Sequence, residues 1–208
     1  MARTVTFYYD ILSPFAHIAL ARLRELPSDV IITPRPVLLG AILSHWGQRG
    51  PAEIGPKRIH TYRQAVHLGS RYGVSLRFPP RHPFNPLAAL RILAGADADL
   101  AMLGRAFDFV FGQGRAVDTA EDVIAFAQML GVSADLAADE TAKARLRTNT
   151  EEAIALGVFG VPTFAAGAEL FWGVDSFDML KDWLANETMF DGEPYAHLKA
   201  VAVGIERK

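Results

Sequence analysis

The sequence predicts an α/β fold in which one α/β domain is interrupted by an all-helical insertion. Three observations carry that reading. Strand, helix and strand signals follow one another within the first 36 residues. From about Leu39 to Leu156 the periodicity is helical, with almost no strand signal. Strand signals then return as a hairpin ahead of a closing helix. The order β-α-β, helical block, β-β-α assigns residues 1–38 and 157–208 to the α/β unit and 39–156 to the insertion. There is no internal repeat, low-complexity run or linker.

Val5, Phe7 and Tyr9 alternate with Thr6 and Tyr8, the period-two pattern of a strand that ends at Asp10. Ser13 before Pro14 supplies a hydroxyl N-cap and a proline at the first helical position. The helix behind them carries Ile18, Leu20, Leu23 and Leu26, and Pro27 closes it. Residues 30–33 form a second short strand, stopped by Pro34 and Pro36. A unit this compact implies a parallel pair joined by a right-handed crossover.

Within the insertion a helix is expected over 57–72, then a proline-rich loop from Phe78 to Pro83. Asn85 caps and Pro86 opens the next helix, through Leu87, Leu90, Ile92 and Leu93. Residues 100–111 form another, with Met102, Leu103, Ala106, Phe107 and Val110 inward. Asp118-Thr119-Ala120-Glu121 has the form of a capping box ahead of Val123, Phe126, Ala127 and Leu130, and 141–156 completes the set. Residues 163–165 and 170–172 then flank Gly167 as a hairpin. Asp175 caps a closing helix that buries Phe177, Leu180, Trp183 and Leu184.

At 208 residues, half of them hydrophobic, the chain is long enough to bury a core without disulfides or metals. Lys plus Arg number 21 against 23 Asp plus Glu, for a formal net charge of −2, so no nucleic-acid partner is expected. Cysteine is absent, which removes disulfides, thiolate metal sites and cysteine nucleophiles together. Sulfur chemistry would have to arrive on a ligand. His60 and His67 lie seven apart on one helix face without ligand partners, and no metal site is expected. The charge-free apolar stretch 153–168 contains Gly157, Gly160, Pro162 and Gly167 and falls short of the ~20 residues of a membrane span. With Met1–Thr4 running straight into the first strand, a cytoplasmic protein is expected.

Three segments have the makings of a ligand site, each with a structural alternative. Ser13-Pro14-Phe15-Ala16 is a helix cap, and the same geometry offers free N–H groups and a hydroxyl to an anion such as a thiolate. Val161-Pro162-Thr163 is a turn before an edge strand. A cis bond there would turn the backbone of Val161 outward, free to pair with an extended peptide ligand. Asp175-Ser176 is a second cap, with a carboxylate and helix-start N–H groups suited to an amino-acid end.

Together these segments resemble the DsbA-like branch of the thioredoxin fold, a βαβ-ββα domain with an all-helical insertion. In redox members of that branch Cys-x-x-Cys stands in the place of Ser13-Pro14-Phe15-Ala16, and its loss here excludes dithiol redox chemistry. Within the branch, residues 7–16, Phe-Tyr-Tyr-Asp-Ile-Leu-Ser-Pro-Phe-Ala, are similar to the opening motif of the 2-hydroxychromene-2-carboxylate isomerases, relatives of the kappa-class glutathione transferases. The likeness continues through Gly55-Pro56-Lys57, Tyr72-Gly73-Val74, Pro83-Phe84-Asn85 and Gly160-Val161-Pro162-Thr163-Phe164 to Phe171-Trp172-Gly173-Val174-Asp175.

The resemblance implies glutathione as cofactor, a small aromatic carboxylate as substrate and a homodimer. It implies that Ser13, beside Pro14, hydrogen-bonds the cofactor sulfur, that Val161 before Pro162 pairs with the cysteinyl backbone, and that Asp175 and Ser176 take the γ-glutamyl end. Thiolate addition to a conjugated carbon, rotation, ring opening and thiol expulsion would then yield trans-o-hydroxybenzylidenepyruvate. Substrate candidates are Trp46, Gln48, Lys57, Phe84 and Asn85, with Arg81 and Trp172 as lesser ones. Gln48 stands where family members commonly have asparagine, and Gln64 where an acidic residue is usual. Two rivals stay open: a kappa-like transferase or peroxidase, and a cysteine-free binding module.

Overall fold

The computed structural model describes residues 3–205. Its sheet has four strands: β1 (Arg3–Tyr9), β2 (Val30–Pro36), β3 (Thr163–Ala166) and β4 (Glu169–Trp172), in the order β2-β1-β3-β4. β1 and β2 are parallel, while β3 runs antiparallel to both β1 and β4. The helices are α1 (Pro14–Arg22), α2 (Leu39–His45), α3 (Gly55–Arg71), α4 (Leu87–Gly95), α5 (Leu100–Phe107), α6 (Ala120–Leu130), α7 (Glu140–Ala155) and α8 (Phe177–Ala185).

Alternation along the strands sends side chains to two separate clusters. Val5, Phe7 and Tyr9 of β1, Phe164 of β3 and Phe171 of β4 join Ile18 of α1 and Phe177 and Leu180 of α8. Phe7 stacks on Phe164 at 5.1 Å, and Phe164 meets Phe177 edge-on at 5.3 Å. Each such phenylalanine contributes roughly 1.5–3 kcal/mol by leaving water. The same cluster continues without a break into Leu90, Leu103, Phe107 and Phe126 of α4–α6. On the opposite face Tyr8 and Ala165 meet Ile42 of α2, Ala153 of α7, Val158 and Val161. Residues 39–156 therefore cover the sheet from both sides.

The structure departs from the sequence reading in several places. β2 does not stop at Pro34 but runs through Pro36. It is an edge strand, and the Val37 N–H donates to the Tyr9 carbonyl at 2.9 Å. Residues 35 and 37 thus face β1, while Pro34 and Pro36 turn their donor-less nitrogens outward, where no ladder bond is lost. α1 ends at Arg22, and Leu23–Glu25 form a 3₁₀ turn instead of carrying the helix to Leu26. α2 is an additional helix ahead of α3.

The expected helix 100–111 becomes α5 followed by a π-helical turn, Asp108–Gly112. Phe109, Val110 and Phe111 are all buried, and three successive inward residues do not fit a 3.6-residue stripe, so the turn widens. α6 is capped by Thr119, whose hydroxyl accepts from the Asp122 N–H and donates to its carboxylate; Glu121 takes no part. At α8 the capping position is Ser176, not Asp175, and neither side chain closes the first turn. The Ser176 hydroxyl donates instead to the Gly173 carbonyl at 3.2 Å.

Candidate functional site

β1 delivers the chain to the start of α1 at its own carboxyl end, next to the amino end of antiparallel β3. Ser13 has extended backbone (φ −90°, ψ 113°) and its hydroxyl oxygen accepts from the Ala16 N–H at 3.2 Å. The residue is only 7% exposed. Among the described residues the hydroxyl hydrogen has no acceptor and the Phe15 N–H has no partner; Pro14, at the first helical position, has no N–H to satisfy. Two free donors thus sit at the positive end of the helix dipole.

The turn itself is clamped by side chains. Asp10, fully buried, accepts from the Leu12 N–H and the Leu39 N–H, both at 2.9 Å, and so ties the Ser13 turn to the start of α2. Burial raises its carboxyl to about 6, opposed by those two hydrogen bonds. His82 reaches the Leu12 carbonyl through Nε2 at 2.8 Å, and its Nδ1 lies 2.8 Å from the Tyr62 hydroxyl. Burial pushes the His82 imidazole down, and the bond to Leu12 opposes this.

The antiparallel register brings the second segment alongside. Tyr8 opposes Thr163, so continuing the ladder places Pro162 and Val161 beside Tyr9 and Asp10. The Val161-Pro162 peptide is cis. Among the described residues neither backbone group of Val161 makes a hydrogen bond. The Thr163 hydroxyl closes the preceding turn on the Gly160 carbonyl at 2.7 Å.

A single bond brings in the third segment: the Gly173 N–H donates to the Pro162 carbonyl at 2.8 Å. Asp175 follows two residues later and is exposed. Arg22 anchors this segment from α1. Only 3% exposed, its guanidinium lies 4.4 Å from the Tyr72 ring and 4.5 Å from that of Phe177. It donates to the Val174 carbonyl at 3.1 Å and pairs with Asp178 at 2.7 Å and Glu25 at 3.0 Å. Arg22→Met retains the stem but loses the fork. It is expected to lower stability by about 2 kcal/mol, which thermal melts would show as a fall of roughly 4–8 °C; an unchanged melting point would show that the anchor contributes nothing.

The substrate candidates are scattered more widely. Trp46 joins the site through its indole N–H, which donates to the Val158 carbonyl at 2.9 Å and leaves the ring 45% exposed. Trp172 is 51% exposed against Phe159, with ring centroids 5.1 Å apart. Gln48 is exposed in the turn after α2, and Lys57 is exposed in the first turn of α3. Phe84 is buried in the main cluster, and the Asn85 side chain accepts from the Leu87 N–H at 3.1 Å. Arg81 pairs with Asp118 at 2.7 Å. Gln64, His60 and His67 are exposed on α3.

One surface concavity of about 300 Å³ lies along edge strand β2 against Arg35 and Arg145, and another of about 460 Å³ lies where β1 begins and β3 ends, beside Arg3 and Trp183. Ser13 lines neither. Their cations are already engaged, Arg35 by Asn149, Arg145 by Asp97 and Arg3 by Asp29. Among the described residues, the free groups nearest the α1 dipole are the Ser13 hydroxyl hydrogen and the Phe15 N–H. Among the described residues no cluster of His, Asp or Glu could hold a metal ion, and no helix is long and apolar enough to cross a membrane.

Comparison with known proteins agrees with this fold. Residues 4–185 match the DSBA-like thioredoxin domain family. A 2-hydroxychromene-2-carboxylate isomerase of Pseudomonas putida is 30% identical over 186 residues, covering 85% of this chain and 92% of the relative. The chain belongs to the 2-hydroxychromene-2-carboxylate isomerase family, on the DsbA-like thioredoxin fold. A solved member of this isomerase family superposes with a TM-score of 0.75 at 26% identity, over 88% of this chain and 94% of the other. Glutathione S-transferase kappa 1 of Homo sapiens is 23% identical over 91% of this chain and 94% of its own length.

Asp10, His17, Tyr62 and His82 escape a sequence reading of this isomerase-family site. Asp10 stands inside the motif that carries the family likeness, yet nothing local shows that its carboxylate reaches Leu39. His17 lies one turn beyond Ser13, stacked on Phe107 at 5.4 Å with its Nδ1 unpartnered. The hydroxyl of Tyr9, which also meets Phe107, is buried without a partner, and burial pushes its pKa up.

Proposed function

We propose that the chain is a glutathione-dependent isomerase, interconverting 2-hydroxychromene-2-carboxylate-like acids and trans-o-hydroxybenzylidenepyruvate, with Ser13 as the catalytic residue. One observation carries the reading. In a chain without cysteine, the Ser13 hydroxyl hydrogen and the Phe15 N–H stand free together at a helix start, suited to holding an anion. The isomerase relatives supply the substrate class, and the kappa-class relative supports glutathione.

The free groups on this chain match that cofactor piece by piece. Bound glutathione would supply a thiolate that adds reversibly to a conjugated carbon of the substrate, turns its double bond into a single bond for rotation while the hemiketal ring C–O bond opens to phenol and ketone, and leaves unchanged as the double bond re-forms. Ser13 donates its hydroxyl hydrogen to that sulfur, and the Phe15 N–H and the α1 dipole reinforce it. A depression of the thiol pKa by about one unit corresponds to ~1.4 kcal/mol favouring the anion. Val161, next to Pro162, offers an unused backbone N–H and carbonyl to the cysteinyl residue. The exposed Asp175 carboxylate suits the γ-glutamyl ammonium, and the start of α8 at Ser176 suits its carboxylate. On this reading Lys57 is the candidate for the substrate carboxylate, and Trp46 and Gln48 are the candidates for the aromatic portion.

The test supplies glutathione with a hydroxychromene carboxylate and, separately, with chlorodinitrobenzene. Isomerisation that requires glutathione without consuming it is the expected result. Stoichiometric loss of glutathione to a conjugate would assign the chain to the transferases. Calorimetry showing no glutathione binding at millimolar concentration would make it a binding module instead.

A further inference from the structure

The Leu12–Ser13 peptide is held at both ends by groups outside helix α1. The Ser13 N–H donates to the Asp10 carbonyl at 2.9 Å, and the Leu12 carbonyl accepts from His82 Nε2 at 2.8 Å across 70 residues of sequence. A carbonyl can only accept, so Nε2 carries the hydrogen and the ring orientation is fixed. Nδ1 is then an acceptor, and the single hydrogen of the Tyr62 hydroxyl lies between it, at 2.8 Å, and the His82 carbonyl, at 2.7 Å, donating to one of the two at a time. Tyr62 stacks on Phe78 at 4.2 Å, and both rings meet the imidazole edge-on at 5.2 and 5.3 Å. The imidazole is gripped on every side but the one it presents to Leu12. Tyr62 stands on α3, five residues beyond Lys57.

We propose that His82, locked by Tyr62, is a positioning residue for Ser13. Its Nε2–H fixes the peptide from which the Ser13 hydroxyl projects, so that the hydroxyl hydrogen meets a bound sulfur. Catalytic groups displaced by an ångström lose rate steeply. A grip delivered from α3 also keeps the sulfur-holding turn in register with the helix that carries Lys57. The inference rests on the role given to Ser13 above.

The experiment titrates the thiol of bound glutathione by its thiolate absorbance, and measures kcat and KM, in the native chain and in Ser13→Ala, His82→Phe, His82→Gln and Tyr62→Phe variants. The native chain should depress the bound thiol pKa and Ser13→Ala should abolish the depression; without a native depression, the reading of Ser13 itself fails. His82→Phe keeps a ring in the aromatic cluster but has no donor. It should shift the bound thiol most of the way towards Ser13→Ala and lower kcat about tenfold while KM for glutathione stays within roughly threefold. His82→Gln, whose amide can still donate to Leu12, should recover most of both. If His82→Phe titrates like the native chain while Ser13→Ala does not, or if His82→Gln is no better than His82→Phe, His82 is not a positioning residue. Should His82→Phe fail to fold, Tyr62→Phe makes the same comparison with a smaller shift in the same direction, and an unshifted thiol there overturns the proposal.

Discussion

Ser13→Ala is expected to slow glutathione-dependent isomerisation by roughly 10- to 100-fold, the loss that follows from deleting a charge-assisted hydrogen bond of about 1.5–3 kcal/mol. The same change removes the α1 cap, because the Ser13 oxygen also accepts from the Ala16 N–H. That part should cost about 1 kcal/mol of stability, a fall in melting temperature of roughly 2–4 °C for a chain of this size. The two roles separate with Ser13→Gly. Glycine is tolerated at a cap for a few tenths of a kcal/mol, so it should lose as much rate as alanine with about a third of the stability loss. Ser13→Thr keeps hydroxyl and cap and should retain most of both. Initial rates and melting curves on the three variants check this directly. Turnover undiminished in both Ala and Gly variants would remove Ser13 from the chemistry.

The contrast between cap and catalyst shows how far a sequence could lead here. Strands β1, β3 and β4 and most helices were legible because one local rule decides each: period-two alternation, a hydroxyl or carboxylate before a helix, a glycine between two short strands. Local rules failed where the neighbour decides. Whether Pro34 stops β2 depends on which way its nitrogen faces, and that is settled by β1. Whether residues 108–112 continue α5 depends on three successive side chains all finding the core. The site divides in the same way. Ser13, Val161 and Asp175 sit at ends of elements, where sequence marks them. Asp10 and His82 act through bonds to Leu39 and Leu12, 29 and 70 residues distant, and no single-sequence signal connects such pairs. Arg22 is similar: a lone arginine in a helix reads as solvated, yet Tyr72 and Phe177 close over it.

Stability should change little between about pH 4 and 6.5 in the native chain, and tilt downward with rising pH once His17 is replaced. The two buried groups whose shifts are largest in that window, Asp10 and His17, oppose one another, with His82 on the side of His17. Burial raises Asp10 from 3.8 to about 6, so between those values the folded chain keeps a proton that the unfolded chain releases. Its contribution is full below about pH 4 and is lost as pH climbs through 6, by about 3 kcal/mol in all. Burial lowers His17 from 6.5 to about 4 despite the nearby Asp108, so the unfolded chain binds a proton that the folded chain refuses. Its contribution rises with pH over nearly the same range, again by about 3 kcal/mol. His17→Phe keeps a flat ring against Phe107, parallel within 3° in the native chain, and deletes the unpartnered Nδ1. The rise due to His17 then vanishes, and the fall due to Asp10 remains, offset in part by His82, whose buried imidazole is also pushed down. Urea unfolding of the variant should give a free energy roughly 2–3 kcal/mol lower at pH 6.5 than at pH 4, against a change within about 1 kcal/mol for the native chain. Parallel pH profiles for the two proteins would show that His17 does not titrate differently on folding. A native chain that already tilts downward like the variant would show instead that His17 keeps its proton inside the fold, with Asp108 outweighing burial.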